Sequence, residues 1–280
     1  MARHIMTLTC DDRPGIVATV STALVKVSAN IVENQQYSDA STDLFFMRTV
    51  FDADEAGVAA VVAAIDTSPA IAHEHLIVRP ETQHCRTLIL VSKFDHCLLD
   101  LLYRWKSGDL PIDIVGVVSN HDDCRDLVAY FGLPFIVIPV TRDTKAEAEA
   151  ELLRLVAAEH ADLVVLARYM QILSDDLCRR LEGRAINIHH SFLPGFKGAR
   201  PYHQAHDRGV KLIGASAHYV TADLDEGPII EQDVVRVTHA ETPERLVALG
   251  RDVERRVLSR AVRDHAENRV FLSGRRTIVF

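Results

Sequence analysis

The sequence predicts an α/β protein of two domains: a ferredoxin-like βαββαβ unit, followed by a doubly wound, mostly parallel α/β domain. In the first 80 residues, strand-length segments with spaced apolar residues are interleaved with helical patterns. Beyond them, short and almost wholly apolar runs, typical of parallel strands buried on both faces, alternate with helical patterns. A polar stretch from Pro80 to His84 separates the two parts, so we place the domains at residues 1–84 and 85–280.

The elements of the first domain follow the spacing of its apolar residues. A turn that contains Pro14 opens a helix, and a second helix begins at Asp54 and runs to residue 65. The strands are predicted at residues 3–10, 30–37, 44–51 and 71–78. Their order along the chain gives the βαββαβ unit.

The second domain is predicted from its apolar runs, at residues 87–91, 112–118, 135–138, 163–167 and 185–188. Helical patterns lie between them at residues 97–105, 123–131 and 144–160, and a later strand and long helix are predicted at residues 228–237 and 242–266. Ligands of such sheets bind outside the carboxyl ends of the strands. We therefore expect the site beside residues 168–173 and 187–189, which lie at or just after strand ends.

Composition excludes several classes of protein. The chain has 280 residues and a net charge of -8, which disfavours nonspecific nucleic-acid binding. It contains no apolar run long enough to span a bilayer and no signal-peptide pattern at its start, so we expect a cytoplasmic protein without membrane contact. The five cysteines are odd in number and scattered, which makes a disulfide framework improbable.

An Asn, a His and a later Asp form the candidate catalytic group. Asn187 and His189 are two apart on a predicted strand, so their side chains point to the same side of the sheet. An amide N–H can bind a carbonyl oxygen, and an imidazole can move a proton near neutral pH. The loop carboxylate of Asp225 could orient that imidazole. The alternative is structural, with Asn187 capping a turn and His189 bonded to a backbone carbonyl.

These residues, with the segment Phe192-Leu193-Pro194-Gly195-Phe196-Lys197-Gly198, resemble the folate-dependent formyltransferases, and the N-terminal unit resembles an ACT domain. The combination implies an enzyme that hydrolyses the N-formyl C–N bond of 10-formyltetrahydrofolate, giving formate for purine and one-carbon metabolism. The resemblance implies that Asn187, His189 and Asp225 are catalytic. It also implies a folate cleft lined by Arg168, Tyr169, Met170, Gln171, Ile172, Leu173 and Lys197.

Two other functions stay open. A formyltransferase of this family could pass the formyl group to an amine, such as an amino sugar or a ribonucleotide amine. The turn at residues 92–96 argues against a ribonucleotide, because it lacks the glycines with which a backbone approaches a phosphate. A non-catalytic amino-acid sensor with an inactive second domain is the other alternative, and the intact catalytic group disfavours it.

The ACT resemblance implies an effector site and self-association. The loop that would hold a free amino acid, often across a dimer interface, comprises Asp12, Arg13, Pro14, Gly15 and Ile16. We therefore expect a homo-oligomer with an amino-acid effector. The alternative for this loop is a capped turn before a helix.

No metal or cofactor is expected, since folate is the substrate. His203 and His206, three apart on a predicted helix, could hold zinc together with Asp225, but their spacing is nonspecific. Surface histidines around a polar cleft are the simpler interpretation.

Overall fold

The computed structural model describes residues 1–195 and 201–280, and the chain in it forms two units. The first contains Met1–His84, Glu267–Ser273 and Ile278–Phe280, and the second contains Cys85–Ala266 and Gly274–Thr277. Lys197 lies outside the described residues. Of the helices in the described ranges, none is long and apolar enough to cross a membrane.

The first unit has the predicted ferredoxin-like βαββαβ order, which is thereby confirmed. Its four strands form an antiparallel sheet in the order β2-β3-β1-β4. Alternate residues of β1 and β3, among them Met6, Leu8 and Met47, pack against the two helices and form the core. The elements are β1 (Ala2–Asp11), α1 (Ile16–Lys26), β2 (Asn30–Asp39), β3 (Leu44–Ala53), α2 (Glu55–Asp66) and β4 (His73–Pro80).

The C-terminal segment differs from the sequence-based division, which assigned residues 267–280 to the second domain. The structure groups most of these residues with the first unit, because they cover the other face of its sheet. The ring of Phe271 packs edge-on against Phe46, with the ring centroids 5.8 Å apart. The buried Arg48 donates to the carbonyl oxygen of Glu267 at 3.0 Å. Neither contact has a local sequence signal.

The second unit is the predicted doubly wound α/β domain. Its seven-stranded sheet has the order β11-β10-β9-β8-β5-β6-β7, with β5 to β9 parallel. The strands are β5 (Cys85–Val91), β6 (Ile112–Ser119), β7 (Phe135–Val137), β8 (Leu163–Leu166), β9 (Ala185–His189), β10 (Leu212–Tyr219) and β11 (Ile229–Arg236). The helices are α3 (His96–Lys106), α4 (Arg125–Tyr130), α5 (Lys145–Ala158), α6 (Asp175–Arg180), α7 (Pro201–Asp207) and α8 (Pro243–Ala266). Outside this sheet, β12 (Val270–Ser273) and β13 (Arg276–Val279) form a separate two-stranded sheet.

The strand order shows which edge of the sheet is expected to bind a ligand. The chain runs outward from β5 to β7 and then returns to β8 on the other side of β5, so the topological switch point lies between β5 and β8. The strand β10, which the sequence patterns did not predict, pairs antiparallel with both β9 and β11. Its run Gly214-Ala215-Ser216-Ala217 has weak strand propensity, and pairing with a strand on each side compensates.

Candidate active site

A cavity of about 560 Å³ lies in the second unit at the carboxyl ends of β8 and β9. Its volume falls in the range that holds a single drug-sized ligand. All six residues of the segment 168–173 line it, together with Asn187, His189 and Asp225. One part of the wall is apolar and contains Leu166, Tyr169, Met170, Ile172, Leu173, Val220 and Leu224.

His189 and Asp225 form a buried pair. The Nδ1–H of His189 donates to Oδ1 of Asp225 at 3.1 Å, and both side chains are largely buried. Burial alone would raise the pKa of Asp225, but the hydrogen bond and the charge of His189 outweigh it, so the pKa lies below its ordinary value. The other ring nitrogen, Nε2, is buried and has no hydrogen-bond partner among the described residues. It is therefore the ring nitrogen that can act on a bound molecule.

Asn187 is held by His218, to which the sequence assigned no role. The two residues are cross-strand partners on β9 and β10. Because a carbonyl oxygen only accepts, Nδ1 of His218 donates to the backbone carbonyl of Tyr219 at 2.8 Å. Burial lowers the pKa of His218, so its Nε2 is unprotonated and accepts from Nδ2 of Asn187 at 3.3 Å. The second N–H of the Asn187 amide remains for a ligand.

The loop that follows β10 brings Asp225 to His189. Asp225 has a left-handed backbone conformation with φ 57°, which Asp tolerates better than most residues. The loop closes where the N–H of Tyr219 donates to the carbonyl of Pro228 at 2.9 Å. Gly227 lies against this closure: a Cβ there would be 1.7 Å from the carbonyl oxygen of Tyr219. Only glycine permits this approach.

The segment 168–173 is fixed to the end of β5 by Ser92. The hydroxyl of Ser92 accepts from the backbone N–H of Met170 at 3.0 Å and donates to Asn120 at 2.6 Å. The N–H of Ser92 also donates to the carbonyl of Arg168 at 3.3 Å. Burial raises the pKa of Tyr169 to about 12, so its phenol stays neutral. Two hydrogen bonds thus hold the main chain at Arg168 and Met170 beside the end of β5.

A second buried carboxylate, Glu254 of α8, also lines the cavity. Its signal in the sequence is a charged residue within the apolar stripe of a long amphipathic helix. The described part of the chain contains one potential metal-ligand cluster, which is formed by His96, Cys97 and Glu254. The zinc ligands considered from the sequence, His203, His206 and Asp225, do not form such a cluster there. Burial raises the pKa of the Cys97 thiol well above its ordinary value, and a protonated thiol is a poor ligand.

The N-terminal loop has geometry that suits a small anion. Gly15 has φ 99°, and no atom of the described residues lies within 4 Å of the position a Cβ would take. Helix α1 begins directly after it, and within the described part of the chain no side chain caps its first N–H groups. Arg13 pairs with Asp11 at 2.7 Å, Asp12 and Pro14 are exposed, and Ile16 is buried in the core.

The fold and the site together define the class of protein. Residues 85–262 match the model of the formyl transferase family, and residues 4–69 match that of the ACT domain. Among relatives, the chain is 53% identical to the formyltetrahydrofolate deformylase of Corynebacterium sp. (strain P-1), over 99% of this chain and 98% of that protein. It is 42% identical to the formyltetrahydrofolate deformylase of Escherichia coli (strain K12), over 100% and 99%.

Solved structures of proteins from these families have the same fold as this chain. A formyltetrahydrofolate deformylase from Burkholderia mallei superposes with a TM-score of 0.95 at 50% identity and covers 100% of both chains. A glycinamide ribonucleotide transformylase 1 from Symbiobacterium toebii gives a TM-score of 0.68 at 30% identity, over 74% of this chain and 98% of that one. The chain therefore belongs to the formyl transferase family and, within it, to the formyltetrahydrofolate deformylases.

Proposed function

We propose that this chain hydrolyses 10-formyltetrahydrofolate to formate and tetrahydrofolate, and so supplies formate for purine and one-carbon metabolism. The full-length identity to deformylases supports the reaction. The observation that carries the assignment of the site is the unpartnered Nε2 of His189, which is oriented by Asp225 and shares a cavity with the held amide of Asn187.

The reaction needs stabilisation of an oxyanion and a proton for the leaving nitrogen. Asp225 would orient a water that adds to the formyl carbon, so a C–O bond forms and the carbonyl oxygen becomes an oxyanion. The proton that this water loses replaces the one that His189 gives up later in the reaction. The free N–H of Asn187 and the protonated Nε2 of His189 would stabilise that oxygen. The bond from the formyl carbon to the folate nitrogen then breaks, and this nitrogen must take up a proton because it is a poor leaving group as an anion. His189 would supply that proton, directly or through the water.

The apolar wall supports a folate ring in the cleft. A pterin presents an amide-like edge that backbone N–H and C=O groups can bind, and the segment 168–173 offers such groups on a fixed main chain. Met170 and Ile172 are more than half exposed, as expected of side chains that cover a ligand rather than a core. Lys197 remains a candidate for the anionic glutamate tail.

A formate-release assay with 10-formyltetrahydrofolate and no amine tests the function. One formate per tetrahydrofolate is expected. Turnover only on addition of an amine would instead indicate a formyltransferase, and binding without turnover would indicate a non-catalytic sensor.

Replacing Asp225 with Asn should lower kcat by roughly 10²–10⁴-fold with little change in KM, because His189 loses the carboxylate that orients it and stabilises its charge. The pKa of Asp225 lies below its ordinary value, so the carboxylate is ionised at neutral pH, where the rates of the variant and the wild type are to be compared. If the Asp225→Asn variant turns over at the wild-type rate, Asp225 is not a member of the catalytic group.

Metal chelators should leave the activity intact, because the proposed steps use only side chains and water. Dialysis against EDTA, followed by the formate assay and metal analysis, measures this. Stoichiometric metal that is lost together with activity would contradict the proposal.

The N-terminal unit is proposed to bind a free amino acid at residues 12–16 and to mediate self-association. The open space at Gly15 and the uncapped start of α1 support a carboxylate there, since helix N-termini favour anions.

Thermal-shift and rate measurements with single amino acids, glycine first, test this effector site, and one of the amino acids should raise the melting temperature. In Gly15→Val that response should disappear while the unliganded rate stays the same. If no amino acid changes the melting temperature or the rate, the effector site is contradicted and self-association is the only proposed role left for this unit.

A further inference from the structure

Both oxygens of the buried Glu254 carboxylate are occupied by other residues of the second unit. Oε2 accepts from Nε2 of His96 at 2.8 Å, and Oε1 accepts from the Tyr202 hydroxyl at 2.7 Å. The Arg168 guanidinium lies beside it, with Nε 3.6 Å from Oε2. Glu254 is 1% exposed, so this carboxylate anchors its neighbours and has little capacity left for a ligand.

The anchored side chains continue outward as a stack. The Arg168 guanidinium, 11% exposed, lies over the ring of Phe94 with a separation of 5.3 Å. Phe94 is 42% exposed, and Arg251, which is also exposed, approaches the same ring to 5.7 Å. The exposures order the layers from the buried Glu254 through Arg168 to Phe94 and Arg251 at the mouth. Cation–π contacts hold the outer layers together.

Two backbone features accommodate this stack. Arg168 has a left-handed conformation with φ 65°, which is uncommon for a residue with a long side chain. Gly250, one turn before Glu254, leaves room for Tyr202, because a Cβ there would be 2.1 Å from the tyrosine ring. All four side chains of the stack line the same cavity as Asn187 and His189, so the stack forms part of the wall of the site.

We propose that this stack, formed by Glu254, Arg168, Phe94 and Arg251, selects water as the nucleophile by excluding amines from the formyl carbon. The inference rests on the proposed function. Water and an amine would use the same catalytic group: in each case a bond to the formyl carbon forms, the bond to the folate nitrogen breaks, and a proton moves to that nitrogen. Chemistry alone therefore does not discriminate between them, whereas the space beside the formyl group does.

The test is a partition measurement with two amines of different size. Purified enzyme receives 10-formyltetrahydrofolate with hydroxylamine, which is close to water in size, or with O-benzylhydroxylamine, which is not. Formate and the formyl hydroxamate are measured together, with the reaction without enzyme subtracted. The variants are Phe94→Ala and Phe94→Ala combined with Arg251→Ala, both at the exposed mouth of the cavity. Tyr130→Ala, an 85% exposed aromatic residue outside the cavity, is the control.

In wild type and Tyr130→Ala, O-benzylhydroxylamine should give formate almost exclusively. In the Phe94 variants the ratio of hydroxamate to formate should rise by about tenfold or more, the low end of what steric change in a pocket produces. The ratio is measured per turnover, so a loss of folded enzyme does not alter it. An unchanged ratio in both variants, or efficient benzyl hydroxamate formation by the wild type, would overturn the inference. Absence of formate from the wild type without any amine would instead overturn the proposed function.

Discussion

Replacing His189 with alanine is expected to lower kcat by about 10²–10⁴-fold, the usual contribution of a positioned acid–base group, while folate binding is largely retained. The imidazole bonds to Asp225 through Nδ1 and has an Nε2 with no partner in the described ranges, which leaves one nitrogen for the reacting atoms. Alanine removes the proton donor but leaves the apolar wall and the 168–173 main chain. The measurements are kcat and KM for formate release, and folate binding by calorimetry.

The adjacent His190 provides a matched control in the same cavity. Its ring stacks on that of His189 with the centroids 5.1 Å apart. Burial, aided by the charge of Arg168, lowers the pKa of His190 to about 4, so it is neutral at neutral pH. His190→Gln should therefore change the rate far less than His189→Ala. Equal losses in both variants would mean that packing, rather than proton transfer, explains the effect.

Replacing Gly227 with alanine is expected to abolish most activity and to destabilise the second unit. The added Cβ would meet the carbonyl oxygen of Tyr219 at 1.7 Å and its carbonyl carbon at 2.9 Å, so the loop must move away from β10. That movement breaks the bond between Tyr219 and Pro228 and withdraws Asp225 from His189. Overpacking typically costs about 1–3 kcal/mol and occasionally more, and about 3 kcal/mol lowers the melting temperature of a domain of this size by roughly 6–12 °C.

Gly116→Ala is the control for this variant. Its Cβ would find Leu88 at 3.6 Å and Pro134 at 3.8 Å, which are ordinary van der Waals distances. Calorimetric melting and the formate assay on both variants measure the difference. If Gly227→Ala melts and turns over like the wild type, the loop does not need its close approach to β10.

The sequence alone determined the strand periodicity and the side-chain alternation. Alternation along a strand requires only local geometry, so the sequence could predict that Asn187 and His189 face the same cavity. The order of apolar runs likewise predicted a doubly wound sheet, and therefore which edge holds the ligand. The missing glycines at residues 92–96 indicated an unusual first turn, and Phe94 and His96 of that turn line the cavity.

Only the tertiary structure decided which distant residues complete the site. His218 orients Asn187 through the pairing of β9 with β10, a strand of small residues whose place depends on its neighbours. Glu254 meets Arg168 because α8 packs beside the strand ends, 86 positions further along the chain. Residues 267–273 cover the first unit's sheet through contacts such as that of Phe271 with Phe46. Hydrogen-bond geometry and burial fix these partners, and neither is a property of local sequence.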